Sequence, residues 1–241
     1  MAIGRTSFEI DAASATATVF GVLAGLGGIT HGVGEVLQGH VPVDGLAIDS
    51  WTSGPIATNM GGEPGITILP SALSAGALTL VFSTAVAAWA IAGVRRKHGG
   101  LVLILFSTGM LLSGGGIGPP VMGVLAGVAG LGIARRQGGW VRRLPRRTRR
   151  VLARAWPLLF AVGLVNAVFL VVGSVILVYA IDLNRPNLFL GSFYFAVLCL
   201  LLIVVAGRAY DTEQGEAATR LVRSRASVLK EASWPSSLGS S

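Results

Sequence analysis

The sequence predicts an all-α polytopic bundle of six membrane-spanning helices with both termini on the inner side. Three observations predict it. Apolar residues make up 52% of the 241 and charged residues only 12%, against about 25% charged in a soluble domain. The mean hydropathy is +0.71. The formal charge of +8 comes from arginines gathered in short clusters between apolar runs, as in cytoplasmic loops of membrane proteins. A nucleic-acid binder would instead spread them over a polar domain, so no nucleic-acid partner is expected.

A span needs about 20 mostly apolar residues to cross roughly 30 Å of hydrocarbon. The first run, 15–37, is rich in glycine. No basic n-region and compact apolar core precede it, so it reads as a retained span, not a cleaved signal peptide. The segment 39–68 has no Lys or Arg and carries Asp44, Asp49 and Glu63. At about 30 residues it is long for a plain connection and suits a lid folded over the bundle. The second span, 69–94, opens on Pro70, where a missing N–H does no harm.

The apolar stretch 101–134 is interrupted by 114-GGGIGPP-120, which no straight helix accommodates. Both outer ends are basic, 95-RRKH-98 and 135-RR-136, so both lie on one side. The stretch is then a helical hairpin, two short spans at 101–115 and 118–134; a re-entrant pair would make five spans in all. Full spans are preferred, because a turn exposed to lipid leaves backbone groups unsatisfied. The basic inner loop 135–155 follows, then spans at 156–181 and 188–207. A tail, 211–241, is partly helical, with Glu216 and Arg220 as an i,i+4 pair, and ends in a polar segment expected to be disordered. This threading places 18 of the 19 Lys and Arg residues inside and leaves only Arg185 outside. Trp156, Tyr179, Phe189 and Tyr210 fall near span ends, where aromatic rings anchor at the headgroup layer. The plasma membrane is the expected location, and the lipid bilayer is the expected partner. The arginines from Arg135 to Arg154 suit contact with anionic lipid.

The first span carries the sharpest chemistry, in 28-GITHGVGEVLQG-39. At 100° per residue, Gly21, Gly25, Gly28, Gly32 and Glu35 share one narrow stripe, with His31 and Gln38 beside it. Val22, Leu26, Ile29, Val33 and Val36 lie opposite and face lipid. The glycine stripe admits another helix closely, as in GxxxG packing. An ionisable residue within a span marks a functional site by default, so His31, Glu35 and Gln38 form a candidate ion or ligand site at the outer end of the span. The competing reading is an i,i+4 hydrogen bond that merely caps the helix. A metal site would need more ligands than His40 and the loop acids supply, and none is assigned.

Secondary candidates are Asn166, which can also serve as interhelical glue, and the break, Gly114, Gly115, Gly116, Pro119 and Pro120. Such breaks expose carbonyls and helix termini in some transporters, though a turn needs the same residues. No Lys-Ser/Thr follows these glycines, so they are no phosphate cradle and no cofactor is implied. The single cysteine, Cys199, reads as a packing residue. No nucleophile stands out, which disfavours an enzyme. Two functions remain: a small-solute or ion/proton transporter with an outward-facing polar site, or a non-catalytic accessory subunit packing through glycine faces in a homo- or hetero-oligomer.

Overall fold

The computed structural model describes residues 11–134, 140–182 and 185–232, with side chains for all of these except 134 and 227–232. Among the described residues the fold is all-α apart from one small two-stranded sheet. Four of their helical runs are long and apolar enough to cross a membrane: Ala12–Gln38, Ala72–Ala92, Arg146–Ile181 and Pro186–Ala226. Two further apolar helices, Gly99–Ser113 and Gly118–Ala134, are shorter. Large apolar side chains such as Val81, Ile91, Leu105, Leu158, Val165 and Ile176 stand exposed on the outside of the bundle. Water would penalise such a surface, whereas lipid does not.

Helix α1, Ala12–Gln38, begins at Asp11. Its first free N–H groups, Ala12 and Ala13, donate to the two carboxylate oxygens of Asp211 at 2.8 and 3.1 Å. A negative group at the positive end of a helix is favourable, and this one ties α1 to the last helix. After α1 the chain forms β1 (Ala47–Asp49), a short helix α2 (Gly54–Met60) and β2 (Pro64–Ile66), with the strands antiparallel. Thr67 extends this unit by bridging to Ser113. The segment between α1 and α3, expected as a lid, therefore packs across one end of the bundle, called here the loop end.

Helix α3, Ala72–Ala92, is capped by Ser71, whose Oγ accepts from the Ser74 N–H. It packs backbone to backbone on α1. A Cβ added at Gly25 would stand 2.7 Å from Ala87 Cβ and from the Ser83 carbonyl, and one at Gly76 2.7 Å from the Gly32 carbonyl. Helices α4, Gly99–Ser113, and α5, Gly118–Ala134, form the hairpin, closed at its far end by Gly100 against Gly127 and Gly130. Between them Gly114 (φ +119°) and Gly116 (φ +70°) take left-handed conformations that favour glycine. Pro119 and Pro120 sit in the first turn of α5, where they break no ladder.

Helix α6, Arg146–Val168, passes through a π turn, Phe169–Gly173, into α7, Ser174–Ile181. Helix α8, Pro186–Ala232, pairs with it. Phe20, Leu103, Met110, Leu200 and Ile203 are fully buried where the helices meet.

One expectation needs correction, and three features refine the rest. The helix that carries the expected 156–181 span begins ten residues before it, at Arg146, so part of the basic loop is itself helical. The last helix continues from the expected 188–207 span to Ala232, so the tail is helical in part, as expected. Trp156 and Phe189, expected as headgroup anchors, are instead buried against other helices, and the Trp156 ring packs tilted at 36° on Tyr210 with centroids 4.8 Å apart. Finally, Arg149 turns inward to bond Glu213 and Glu216, while Arg142, Arg143, Arg146, Arg147, Arg150 and Arg154 stay exposed. Arg135 and Arg136 lie outside the described residues, as does the end of the tail.

Candidate functional site

Near its loop end, α1 presents His31 and Glu35 one turn apart on its buried face. His31 is 6% exposed and Glu35 not at all. They do not bond each other directly. Ser50, which follows β1, stands between them: its Oγ lies 2.8 Å from His31 Nδ1 and donates to Glu35 Oε1 at 3.1 Å. Gln38 positions Ser50, because its amide donates to the carbonyls of Asp49 and Ser50, both at 2.9 Å. Gly34 completes the seat, since a Cβ there would collide with the Ser50 carbonyl and the Trp51 ring. The sequence 34-GEVLQ-38 thus holds one serine through a gap, an acceptor and a donor.

The glycine break closes over the same two side chains. A Cβ at Gly114 would lie 2.7 Å from Glu35 Oε1, and one at Gly116 2.5 Å from His31 Nε2. The Thr79 hydroxyl, fully buried, lies within reach of the Glu35 carboxyl and donates to Ser113 Oγ at 3.1 Å. Glu35 Oε2 has no hydrogen-bond partner and no contact with solvent. Such an orphaned acceptor is rare in a folded protein. On the other side, His31 Nε2 stands 3.5 Å from Glu63 Oε2. Glu63 adopts φ +53°, an uncommon conformation for a residue with a side chain. It brings a loop carboxylate to the histidine.

Beside His31 and Glu63 opens a cavity of about 630 Å³ among α1, α5, the π turn, α7 and α8. This lies in the size range of small-molecule sites. Its walls are apolar, with Met122 and Leu125 on α5, Leu170 and Val171 in the π turn, and Phe193 and Leu200 on α8. Pro119 and Gly118 line it as well, so the break serves both the buried pair and the cavity. A π turn often marks a functional segment, and here it forms part of a wall.

The structure therefore brings together His31, Glu35, Gln38, Gly114, Gly116 and Pro119. Asn166 lies apart from them: its side-chain amide bonds Ser192 twice, Nδ2 donating to the Ser192 carbonyl at 3.0 Å and Oδ1 accepting from Ser192 Oγ at 2.6 Å. Gly21, Gly25, Gly28 and Gly32 face α3 and the residues behind it. Gly115 bonds the Met110 carbonyl within the turn. His40, Asp44 and Asp49 are exposed, and among the described residues no group of three or more His, Cys, Asp or Glu is arranged around a common metal position. Sequence reasoning missed Ser50 and Thr79, and it noticed Glu63 only as a loop acid. A serine in a polar loop gives no signal of its own. No family model matches the chain, and no curated protein or solved structure matches it.

Proposed function

We propose that the chain is a six-span plasma-membrane protein, N-in and C-in, that moves a small solute or ion coupled to protons through an outward-facing site at His31, Ser50 and Glu35. One observation supports the reading above others: a continuous line of polar atoms from Glu63, at the cavity, through His31 and Ser50 to a carboxyl sealed in the bundle. On the positive-inside argument the loop end faces outward.

Two proton arrangements satisfy these atoms equally well. In one, Glu35 is a carboxylate, Ser50 donates to it, and an imidazolium donates to Ser50 through Nδ1 while Nε2–H faces Glu63. In the other, the Glu35 carboxyl donates to Ser50 Oγ, Ser50 donates to His31 Nδ1, and the neutral ring keeps its proton on Nε2. Passing between them moves two protons by one hydrogen bond each and shifts no heavy atom. Histidine suits this role because both nitrogens can carry a proton near neutrality. Glu35 Oε2, left without a partner, is the free acceptor at the inner end of the relay.

The accessory-subunit reading draws less support. The glycine face it relied on is filled from within by α3, so α1 offers that face to no partner.

Reconstitution in liposomes holding a pH-sensitive dye tests the proposal. Wild-type protein should dissipate a pH gradient faster than empty vesicles, and folded Glu35→Gln and His31→Ala should lower that rate at least about tenfold. Monodisperse wild-type protein that never exceeds empty vesicles overturns it. Orientation has its own check. Cysteines placed at the exposed positions Asp49 and Arg143 should react with an impermeant maleimide from opposite sides, and Cys199 is buried enough to stay silent. Labelling of both from one side overturns the threading.

A further inference from the structure

We propose that the cavity beside His31 takes a lipophilic monocation, an ammonium- or phosphonium-type centre on an apolar body. Its charge would sit at Glu63 and its body between the π turn and α8. This rests on the reading of the His31 site as the one that meets solute, and it names the class of that solute.

Shape and polarity give the first argument. The cavity is lined mostly by apolar residues, with His31 and Glu63 as its one imidazole and one carboxylate. It suits a molecule with one polar centre and a body large enough to fill about 630 Å³. The exposed neighbours Leu190 and Tyr194 on α8 open it toward lipid, where such molecules accumulate.

The sign of the charge comes from three further features. No Lys or Arg is among the lining residues, and Glu63 is the lining carboxylate. Its side chain is 19% exposed and His31 Nε2 is 3.5 Å away. Phe189, Phe193 and Tyr194 also line the cavity, and aromatic faces attract cations. The two helix N-termini at the mouth would ordinarily favour an anion. Both carry proline in their first turn: α5 begins Gly118-Pro119-Pro120 and α8 begins at Pro186. Proline has no N–H, and the nearby Leu188 N–H is already given to the Arg185 carbonyl at 2.9 Å. These two helix starts therefore offer an anion fewer backbone donors than ordinary helix N-termini do. A bound cation and an imidazolium at His31 would compete for Glu63, which links binding to the proton relay.

Equilibrium dialysis of the full chain in zwitterionic nanodiscs tests this with tetraphenylphosphonium, and with tetraphenylborate as an anion of the same shape. Tetraphenylphosphonium should bind saturably above empty nanodiscs, and tetraphenylborate should only partition. Glu63→Asn removes the charge and tolerates the left-handed backbone; it should weaken binding about tenfold or more. Val175→Trp, which fills the cavity, should do the same. Saturable borate binding equal to that of the phosphonium overturns the assignment. Undiminished binding in folded Glu63→Asn does so too, as does the absence of saturable phosphonium binding, the result expected if lipid fills the space. Phosphonium binding without proton flux leaves this assignment standing and removes the transport reading. Proton flux without phosphonium binding does the reverse.

Discussion

Ser50 has one hydrogen to give, and it stands between two groups that can each use it. That position depends on glycines as much as on polar residues. Gly34 lets the Ser50 backbone approach α1, and Gly116 lets the break pass across the His31 ring. Gly116→Ala meets two penalties, a side chain at φ +70° and a Cβ inside the space of the imidazole. The left-handed conformation alone costs roughly 1–2 kcal/mol, and displacement of His31 should bring the total to about 2–4 kcal/mol. Thermal unfolding in detergent should show the midpoint fall by several degrees. Gly118→Ala is the control, since its Cβ would meet Phe193 at an ordinary 3.6 Å, and its midpoint should stay near wild type. His31, Glu35 and Gln38 were legible because polar groups stand out in an apolar run. Ser50 and Glu63 were not, because their meaning comes from a loop fold that hydropathy does not encode.

At the scale of elements, apolar runs located the helices well wherever burial ends with the helix. They stop short of the helix end where it does not. Helix α8 leaves the apolar region near residue 207 and continues on helix-favouring residues, and the Asp211 cap and the bonds from Arg149 hold it against α1 and α6. Nothing in 146-RRTRR-150 says which arginine turns inward; only the packing of α6 on α8 decides that. Arg149 is 5% exposed and serves two acids that are each partly exposed, so Arg149→Ala takes its guanidinium from both carboxylates and leaves Glu216 with Arg220 at 3.6 Å. It should destabilise by on the order of 2 kcal/mol, less than a fully buried pair would lose. Arg147→Ala, on the exposed side, should stay within about 0.5 kcal/mol. Chemical or thermal unfolding of the two variants side by side separates these outcomes. The glycine stripe of α1 was also legible as a packing face, and its partner proved to be α3 of the same chain.

The whole molecule divides unequally. Helices α1, α3, α4 and α5 are drawn together by glycines until backbones touch, while α6, α7 and α8 pack through larger side chains. The cavity lies on the seam between the two groups. The loop segment spans that seam, because Asn59 on α2 donates to Asp182 at the end of α7 at 2.7 Å. This arrangement sets the His31–Ser50–Glu35 line among glycine-packed helices, beside a cavity walled by larger side chains. The helical class and membrane character were legible from composition, but the seam was not, since apolar runs carry no record of which helices pack tightly. Among the described residues Ser50 is what joins His31 to Glu35, and proton flux through Ser50→Ala proteoliposomes measures that link. With the variant folded and monodisperse beside an active wild type, its flux should fall to the level of empty vesicles; conduction at the wild-type rate would rule the relay out.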